Sequence, residues 1–425
     1  MKIISRIFAL LLLACFCISY NAHACTTFFL VSDKTKVVGK SYDWYFHHGM
    51  AVVNKRHIYK VGFTLGRYQP ARWISKYGSL TFNQYGREFP NSGINEHGLT
   101  VEIMNGPSCY IRSKKIPAVN ELQWIQYQLD NFANVAEAVK AINKIQIIPF
   151  RGGLHYMLCD PTGDCAIVEF LDKKSVVHTG NTLGPRALSN SIYQYCINKY
   201  ATETSQPGSY SSLHRFLRVA HYIKSYQEPA DAIRYAFRTL NSVARHPDLC
   251  DGYFQTQWQL TYDLVARQVH FRLANGKSVK QAPIKLFNLR TLDYSENTPV
   301  KIYDLDRSDI GICNAKFQIY SRAMNHKILQ KSVKNSPFRP YCAIFADYPT
   351  HRTVVCRQIK LDIASQSRNI KIRALFFHGI RIKDKDYLPT GKHTVVIPLS
   401  AKQSIKKKIQ IPRGTTLYTI KVTIP

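Results

Sequence analysis

Hydrophobic and polar positions divide the chain into blocks of different period. Residues 25–31 (CTTFFLV) form a strand-like apolar run. After the polar turn at 32–36, the pattern resumes at Val37, Val38 and Gly39 and closes at Lys40-Ser41-Tyr42-Asp43-Trp44, which predicts a hairpin. Apolar positions recur at helical spacing through residues 122–142 and predict one amphipathic helix. Two runs, 156–159 and 165–170, flank the turn Asp160-Pro161-Thr162-Gly163-Asp164 and predict a second hairpin. Residues 207–245 read as two helices, the second starting after Pro229, and strands follow around 258–273. Beyond residue 313 the pattern is almost wholly that of strands, as in TVVCRQIKLDI, IKIRALFF, HTVVIPL and LYTIKVTI, with AIFADY at 343–348 ahead of them. This last block is expected to form a small β-sandwich.

The first 24 residues break this alternation. Lys2 and Arg6 precede an apolar stretch from Ile7 to Ile18, and Ala22-His23-Ala24 offers a small-x-small cleavage site. They read as a secretory signal peptide, so the mature chain is expected to be exported to the periplasm or beyond. The alternative, a lipoprotein signal ending at Cys15, fits less well because the apolar run continues past Cys15 through Phe16 and Ile18. The expected organisation is therefore a signal peptide at 1–24, a main domain at 25–312 and a basic β-rich domain at 313–425.

Charge separates the last two. The chain carries 58 Lys+Arg against 27 Asp+Glu, a net charge of +31. Residues 313–425 hold 22 basic against 4 acidic residues, a net of +18, and the other 312 hold 36 against 23, a net of +13. The excess bears on partners of the C-terminal block, where an anionic lipid, polysaccharide or nucleic acid surface is the matching class. It says nothing about fold.

Cleavage after Ala24 would leave nine of the eleven cysteines, an odd number, and would make Cys25 the first residue. A cysteine there carries its own base. A free α-amino group titrates near 7.7–8.0 and a thiol at about 8.5, so proton transfer between them costs little near neutrality. The thiolate can then attack an acyl carbon, and the ammonium can protonate the departing amine. Cys159 and Cys165 stand at a spacing that suits either a bridge or two unpaired core thiols, and Cys342 and Cys356 could pair on neighbouring strands.

Other chemistries find less support. His47-His48 and the remaining histidines show no H-E-x-x-H or paired C-x-x-C spacing, so zinc is not expected. Asp304, Asp306 and Asp309 alternate without the glycine and closing glutamate of a calcium loop, and read as a solvated turn. No cofactor is expected, since neither a phosphate-binding glycine loop nor a G-x-S-x-G elbow occurs.

CTTFFLVSDKTKVVGKSYDW (25–44) resembles the N-terminus of the choloylglycine hydrolase family, whose members include bile salt hydrolases and penicillin V acylases. Further matches follow in the family's order: WISKYGSL (73–80), GINEHGLTVEIMN (93–105), LDNFANVAEAV (129–139), ALSNS (187–191), SSLHRFLR (211–218) and TQWQLTYD (256–263). The likeness spans about residues 25–310 and looks closest to the Gram-negative penicillin acylase-like branch. It implies an α+β fold, the four-layer αββα N-terminal-nucleophile hydrolase sandwich, here with an additional C-terminal β-rich domain, and a tendency to form homo-oligomers.

The resemblance also implies roles. Cys25 would be nucleophile and base, and Asp43 would hold the α-amino group. Asn190, through its side chain, and Asn105, through its backbone, would bind the oxyanion. Arg215 would lie near the nucleophile, while Arg218, one turn on, is expected to be a salt-bridging or surface residue. Lys40 stands where the family usually places arginine, so it supplies charge without the planar fork. Asn105 is shared with the bile-acid-cleaving branch, whereas penicillin acylase members carry Tyr or Trp, a departure from the branch the chain otherwise resembles. Two functions compete on this basis. One is an amidase for a linear, non-peptide C–N bond in a small amphipathic substrate such as a conjugated bile acid, penicillin V or an N-acyl homoserine lactone. The other is a degenerate amidase fold that binds an anionic surface through its C-terminal block.

Overall fold

In the computed structural model, residues 25–64, 66–150, 152–228, 231–245, 255–274, 278–333, 353–365, 375–378, 380–383, 386–398, 404–413 and 417–424 are described. The signal-peptide reading of 1–24, the strand expected at 343–348, Cys250 and Cys342 lie outside them, as does the Cys356 side chain.

Two sheets form the centre. Among the described residues, the first runs Ala187–Leu188, Thr26–Val31, Lys36–Trp44, Gln255–Asp263, Gln268–Leu273, Lys285–Asn288 and Gly311–Ile312. The second runs Lys174–Thr179, Cys165–Leu171, Leu154–Cys159, Thr100–Asn105, Ser92–Asn95, Ser79–Asn83, Met50–Asn54, Lys301–Asp304 and Gln318–Ile319. The predicted first hairpin sits at the heart of the first sheet, with Thr26 opposite Ser41 and Thr27 opposite Lys40.

Period-2 alternation sends successive side chains of these strands to opposite packed faces, and their buried positions include polar ones such as Gln257, Gln259 and Thr261 as well as apolar ones. On Cys165–Leu171, Cys165 and Ile167 face the other sheet's core, while Ala166, Val168 and Phe170 face the helices. Between the sheets, Phe82 stacks on Phe271 with ring centroids 5.6 Å apart, and Tyr42 stacks on Trp258 at 4.4 Å. Outside the first sheet lie helices Ser212–Lys224 and Ala232–Val243, which bury Phe216, Leu217, Ala236, Phe237 and Leu240 in the same cluster. Outside the second lie Gln123–Asn131 and Val135–Lys140, with Trp124, Ile125, Leu129 and Val135 against Val101, Ile103 and Tyr156. The αββα order is complete.

Two elements differ from the sequence expectation. The single helix expected over 122–142 is broken at residues 132–134, where Asn134 caps a new helix by accepting from the Glu137 N–H at 2.9 Å. Glu137 in turn accepts from the Ala133 N–H at 2.9 Å, so local polar contacts override the periodicity. Within the block read as strands, Arg322–Val333 is a helix. It inserts Ile328 beside Met50, Val52 and Ile302, and Leu329 beside Tyr85 and Phe89, on the main sandwich.

The C-terminal strands form two sheets sharing one apolar core. Thr353–Ser365 pairs with Tyr387–Pro389, Leu417–Ile424 and Ile58–Val61, and the latter continues to Arg72–Ile74. Ile380–Ile382, Leu375–Phe377, Gly391–Pro398 and Ser404–Ile411 make the other. Tyr59 and Val61, from the N-terminal part, join Ile359, Phe377, Ile397 and Ile411 in that core.

Candidate active site

Cys25 stands immediately before the strand Thr26–Val31, buried, with its thiol 3.8 Å from the carbonyl oxygen of Asp43. The hairpin does the positioning. Antiparallel pairing of 26–31 with 36–41 returns the chain so that Asp43 lies beside Cys25. Pairing of Asp43 with Thr256 on the next strand then fixes the carboxylate. Its Oδ1 accepts from Thr256 Oγ1 at 2.6 Å and Ser41 Oγ at 3.1 Å. Its Oδ2 is buried and accepts no hydrogen bond among the described residues. Burial pushes the Asp43 carboxyl up to about 6 even though Arg215 and the Thr256 hydroxyl oppose the shift.

Arg215 is the other organiser. Ser211 caps its helix by accepting from the His214 N–H at 3.3 Å, which starts the helix at a point where the guanidinium points inward. The fully buried guanidinium donates to the Cys25 carbonyl at 2.6 Å, to the Thr26 hydroxyl, to Asn190 Oδ1 at 2.9 Å and to the Tyr210 carbonyl at 3.1 Å. One planar fork thus holds the main chain of Cys25 and the amide of Asn190 in a fixed relation. Arg218 instead ties its helix to the end of the helix Ala232–Val243 and to the preceding loop, donating to the carbonyls of Ser242 and Ser209, each at 2.8 Å.

Asn190 and Asn105 are brought together, since the Asn190 amide donates to the Asn105 carbonyl at 2.8 Å. Ser212 accepts from the Asn190 N–H at 2.9 Å, which links this turn to the first residue of the Arg215 helix.

Lys40 points between the two sheets. Its ammonium is buried against the Ile103 carbonyl and the Met104 sulfur, with Glu102 Oε2 at 3.8 Å. It makes no hydrogen bond to Cys25, and acts on it through charge. Burial raises the Cys25 thiol above its ordinary value, Lys40 pulls it down most strongly among the charges, Asp43 raises it, and Arg215 lowers it. Burial also raises the Glu102 carboxyl to about 7, against the pull of Lys40. The six residues singled out from the sequence therefore lie close together, with Cys25, Lys40, Asp43, Asn190 and Arg215 buried and Asn105 half-buried at the edge.

Sequence reasoning missed the residues behind the cluster. Glu169 is fully buried, accepts from the Tyr193 N–H at 3.1 Å, and lies 3.1 Å from His155 Nδ1 and 3.5 Å from His178 Nε2. The His155 ring packs directly on Gly106, where a Cβ would stand 2.9 Å from it, so Glu169 supports both the residue after Asn105 and the helix that begins three residues after Asn190. Cys159 and Cys165 stand opposite each other in register as unpaired thiols, 3.0 Å apart.

Comparison with known proteins gives a consistent set of likenesses. The family model of acyl-coenzyme A:6-aminopenicillanic acid acyl-transferase matches residues 32–278. A penicillin V acylase of Pectobacterium atrosepticum is 32% identical over 177 residues, 36% of this chain and 46% of that protein. A bile salt hydrolase/transferase of Clostridium perfringens is 29% identical over 216 residues, 40% of this chain and 64% of that protein. The matches thus span between about half and two thirds of those relatives' lengths. Among solved structures, a penicillin V acylase from Agrobacterium tumefaciens superposes with a TM-score of 0.60 at 26% identity, covering 70% of this chain and 98% of the other. A variant of conjugated bile acid hydrolase from Clostridium perfringens gives 0.55 at 20% identity, covering 67% and 98%, and at that identity speaks for the fold alone.

Proposed function

The chain belongs to the acyl-coenzyme A:6-aminopenicillanic acid acyl-transferase family, among its penicillin V acylase-like and choloylglycine hydrolase-like members, and from that premise we propose that it is an exported N-terminal-cysteine amide hydrolase. Its substrate would be a small amphipathic molecule with a linear, non-peptide amide, such as penicillin V, a conjugated bile acid or an N-acyl homoserine lactone. The observation that carries this reading is the Arg215 fork, which couples the Cys25 main chain to the Asn190 amide.

The chemistry follows from the positions. Removal of residues 1–24 would free an α-amino group on Cys25, next to Asp43, whose buried Oδ2 accepts no hydrogen bond among the described residues and would suit the ammonium that forms in the reaction. Because burial keeps the thiol high, it needs that amine as base. Thiolate attack on the amide carbon yields a tetrahedral oxyanion. The second Asn190 amide proton and the Asn105 N–H are the donors proposed for it, each worth on the order of 3 kcal/mol. The ammonium protonates the leaving amine, and water, activated by the same amine, then hydrolyses the thioester. Lys40 and Arg215 favour the thiolate by charge.

The C-terminal strands suggest a second role alongside the first. Ser404–Ile411 turns Lys406 and Lys408 to solvent while Ile409 and Ile411 face the core, which favours contact with an anionic surface. The test of the enzymatic reading is intact-mass analysis of the exported protein with turnover assays on the three amide classes. A chain beginning at Cys25 that releases amine from one class supports it. A mature chain starting elsewhere, or no turnover of any class, would count against it.

A further inference from the structure

Folding sets the adjacent His47 and His48, in the loop after Asp43 and Trp44, against Asp306, 258 residues beyond His48. We propose that His47, His48 and Asp306 form a binding site for a divalent transition-metal ion of the zinc class. His48 Nδ1 is hydrogen-bonded to Asp306 Oδ2 at 2.5 Å, a contact that an ion would open by displacing the shared proton; His47 Nε2 lies 3.8 Å from Asp306 Oδ1; and with one donor atom taken from each residue, all three lie within 4.8 Å of one another.

Two ligand bonds of about 2.0–2.2 Å to one ion span up to about 4 Å, so the gap between His47 Nε2 and Asp306 Oδ1 can be bridged with little movement. That oxygen is shielded from water and accepts no hydrogen bond among the described residues, so an ion would satisfy a group the fold otherwise leaves unpaired. Two imidazoles and one carboxylate form a borderline-soft set. Zinc-class ions fit it, whereas calcium and magnesium call for oxygen-rich shells. Neighbouring histidines can serve together because one offers Nε2 and the other Nδ1, with rings 4.0 Å apart and tilted by 46°.

The backbone on both sides is already held. Gln84 donates to the Phe46 carbonyl at 2.6 Å, and the Asp306 N–H donates to Asp304 Oδ1 at 3.0 Å. The local counter-cation is Lys331, whose ammonium lies 3.6 Å from Asp306 and 3.7 Å from Asp304. Its side chain is 41% exposed, so it can swing away when an ion arrives. Binding would then clamp the loop after Asp43 to the turn after Lys301–Asp304 and loosen that turn's tie to the helix Arg322–Val333. The proposal does not depend on the amidase chemistry.

Isothermal titration of the full untagged chain with zinc chloride, in a non-chelating buffer, tests it together with melting curves. One equivalent should bind saturably and raise the melting temperature. Asp306→Asn and His47→Gln should each weaken binding about tenfold or more, and Lys331→Met should tighten it about threefold or more by removing the competing charge. The Lys331 variant leaves all three ligands in place, so its result does not depend on how well the ligand variants fold. No saturable binding, equal binding by the ligand variants, or no tightening by Lys331→Met would overturn the proposal.

Discussion

Replacing Arg215 with lysine separates charge from geometry at the site. Lysine keeps a positive charge near Cys25, but it cannot reproduce a fork that reaches the Cys25 carbonyl at 2.6 Å and Asn190 Oδ1 at 2.9 Å together. Asn190 then loses one of the two side-chain bonds that aim its amide, keeping only the one to the Asn105 carbonyl. Loss of one aligned oxyanion donor costs about 2.7–4 kcal/mol in the transition state, or a fall of about 10²–10³ in kcat. Ground-state binding does not use that donor, so KM should change less than about threefold. At least one buried acceptor is also left unpaired, at about 1–3 kcal/mol, which should lower the melting temperature by several degrees without unfolding the chain. The assay is steady-state turnover of the cleaved amide, alongside the pH dependence of Cys25 alkylation. Arg215→Lys should keep the alkylation profile close to the parent's, because the charge persists. A kcat within threefold of the parent, or a loss confined to KM, would refute the view that Arg215 works by orienting Asn190.

Four further outcomes follow from the buried groups. In the uncleaved chain, Asp43 binds its proton more tightly when folded, up to about 6 against an ordinary value near 4. Its contribution to stability is present below about pH 4 and is lost as pH rises to about 6, and Asp43→Asn should flatten that part of the stability–pH curve in denaturant titrations. Lys40→Met would leave Glu102 buried without its cation and should destabilise the chain by about 3–5 kcal/mol, with the added change Glu102→Gln recovering much of the loss in the same measurement. Burial tends to raise Glu169, but His155, His178 and the Tyr193 N–H hold it down to about 2. It should therefore stabilise the fold above about pH 4 and lose that effect as pH falls toward 2. Glu169→Gln should remove on the order of 2–3 kcal/mol at neutral pH and lower kcat more than it raises KM. Cys25→Ala should leave the melting temperature within a few degrees of the parent's while abolishing turnover.

How much of this could be read from the chain depended on distance along it. The Cys25–Asp43 relation was legible because one hairpin makes it, and Thr26 opposite Ser41 follows from a short turn between two apolar runs. Arg215 and Asn190 were found through the family motifs around them, not through any local signal of contact. Glu102 and Glu169 were not legible. Their partners Lys40, His155 and Tyr193 come from other strands and a helix, and a buried carboxylate looks in sequence like an exposed one. The same holds for Asp306, read as a solvated turn residue until the fold sets it against His48. At the C-terminus, the alternating pattern announced strands, but nothing in it showed that Tyr59 and Val61 would complete their core. Arg322–Val333 was missed because its buried face is short, resting on Asn325, Ile328 and Leu329.

The central claim is that the Cys25 thiol, made N-terminal by removal of residues 1–24, is the nucleophile. The most direct measurement is turnover of a cleaved amide by the mature chain and by its Cys25→Ala form, each shown to be folded by its melting curve. The account expects amine release by the first and none by the second. Retained turnover by the alanine form would contradict it, whatever the substrate proves to be.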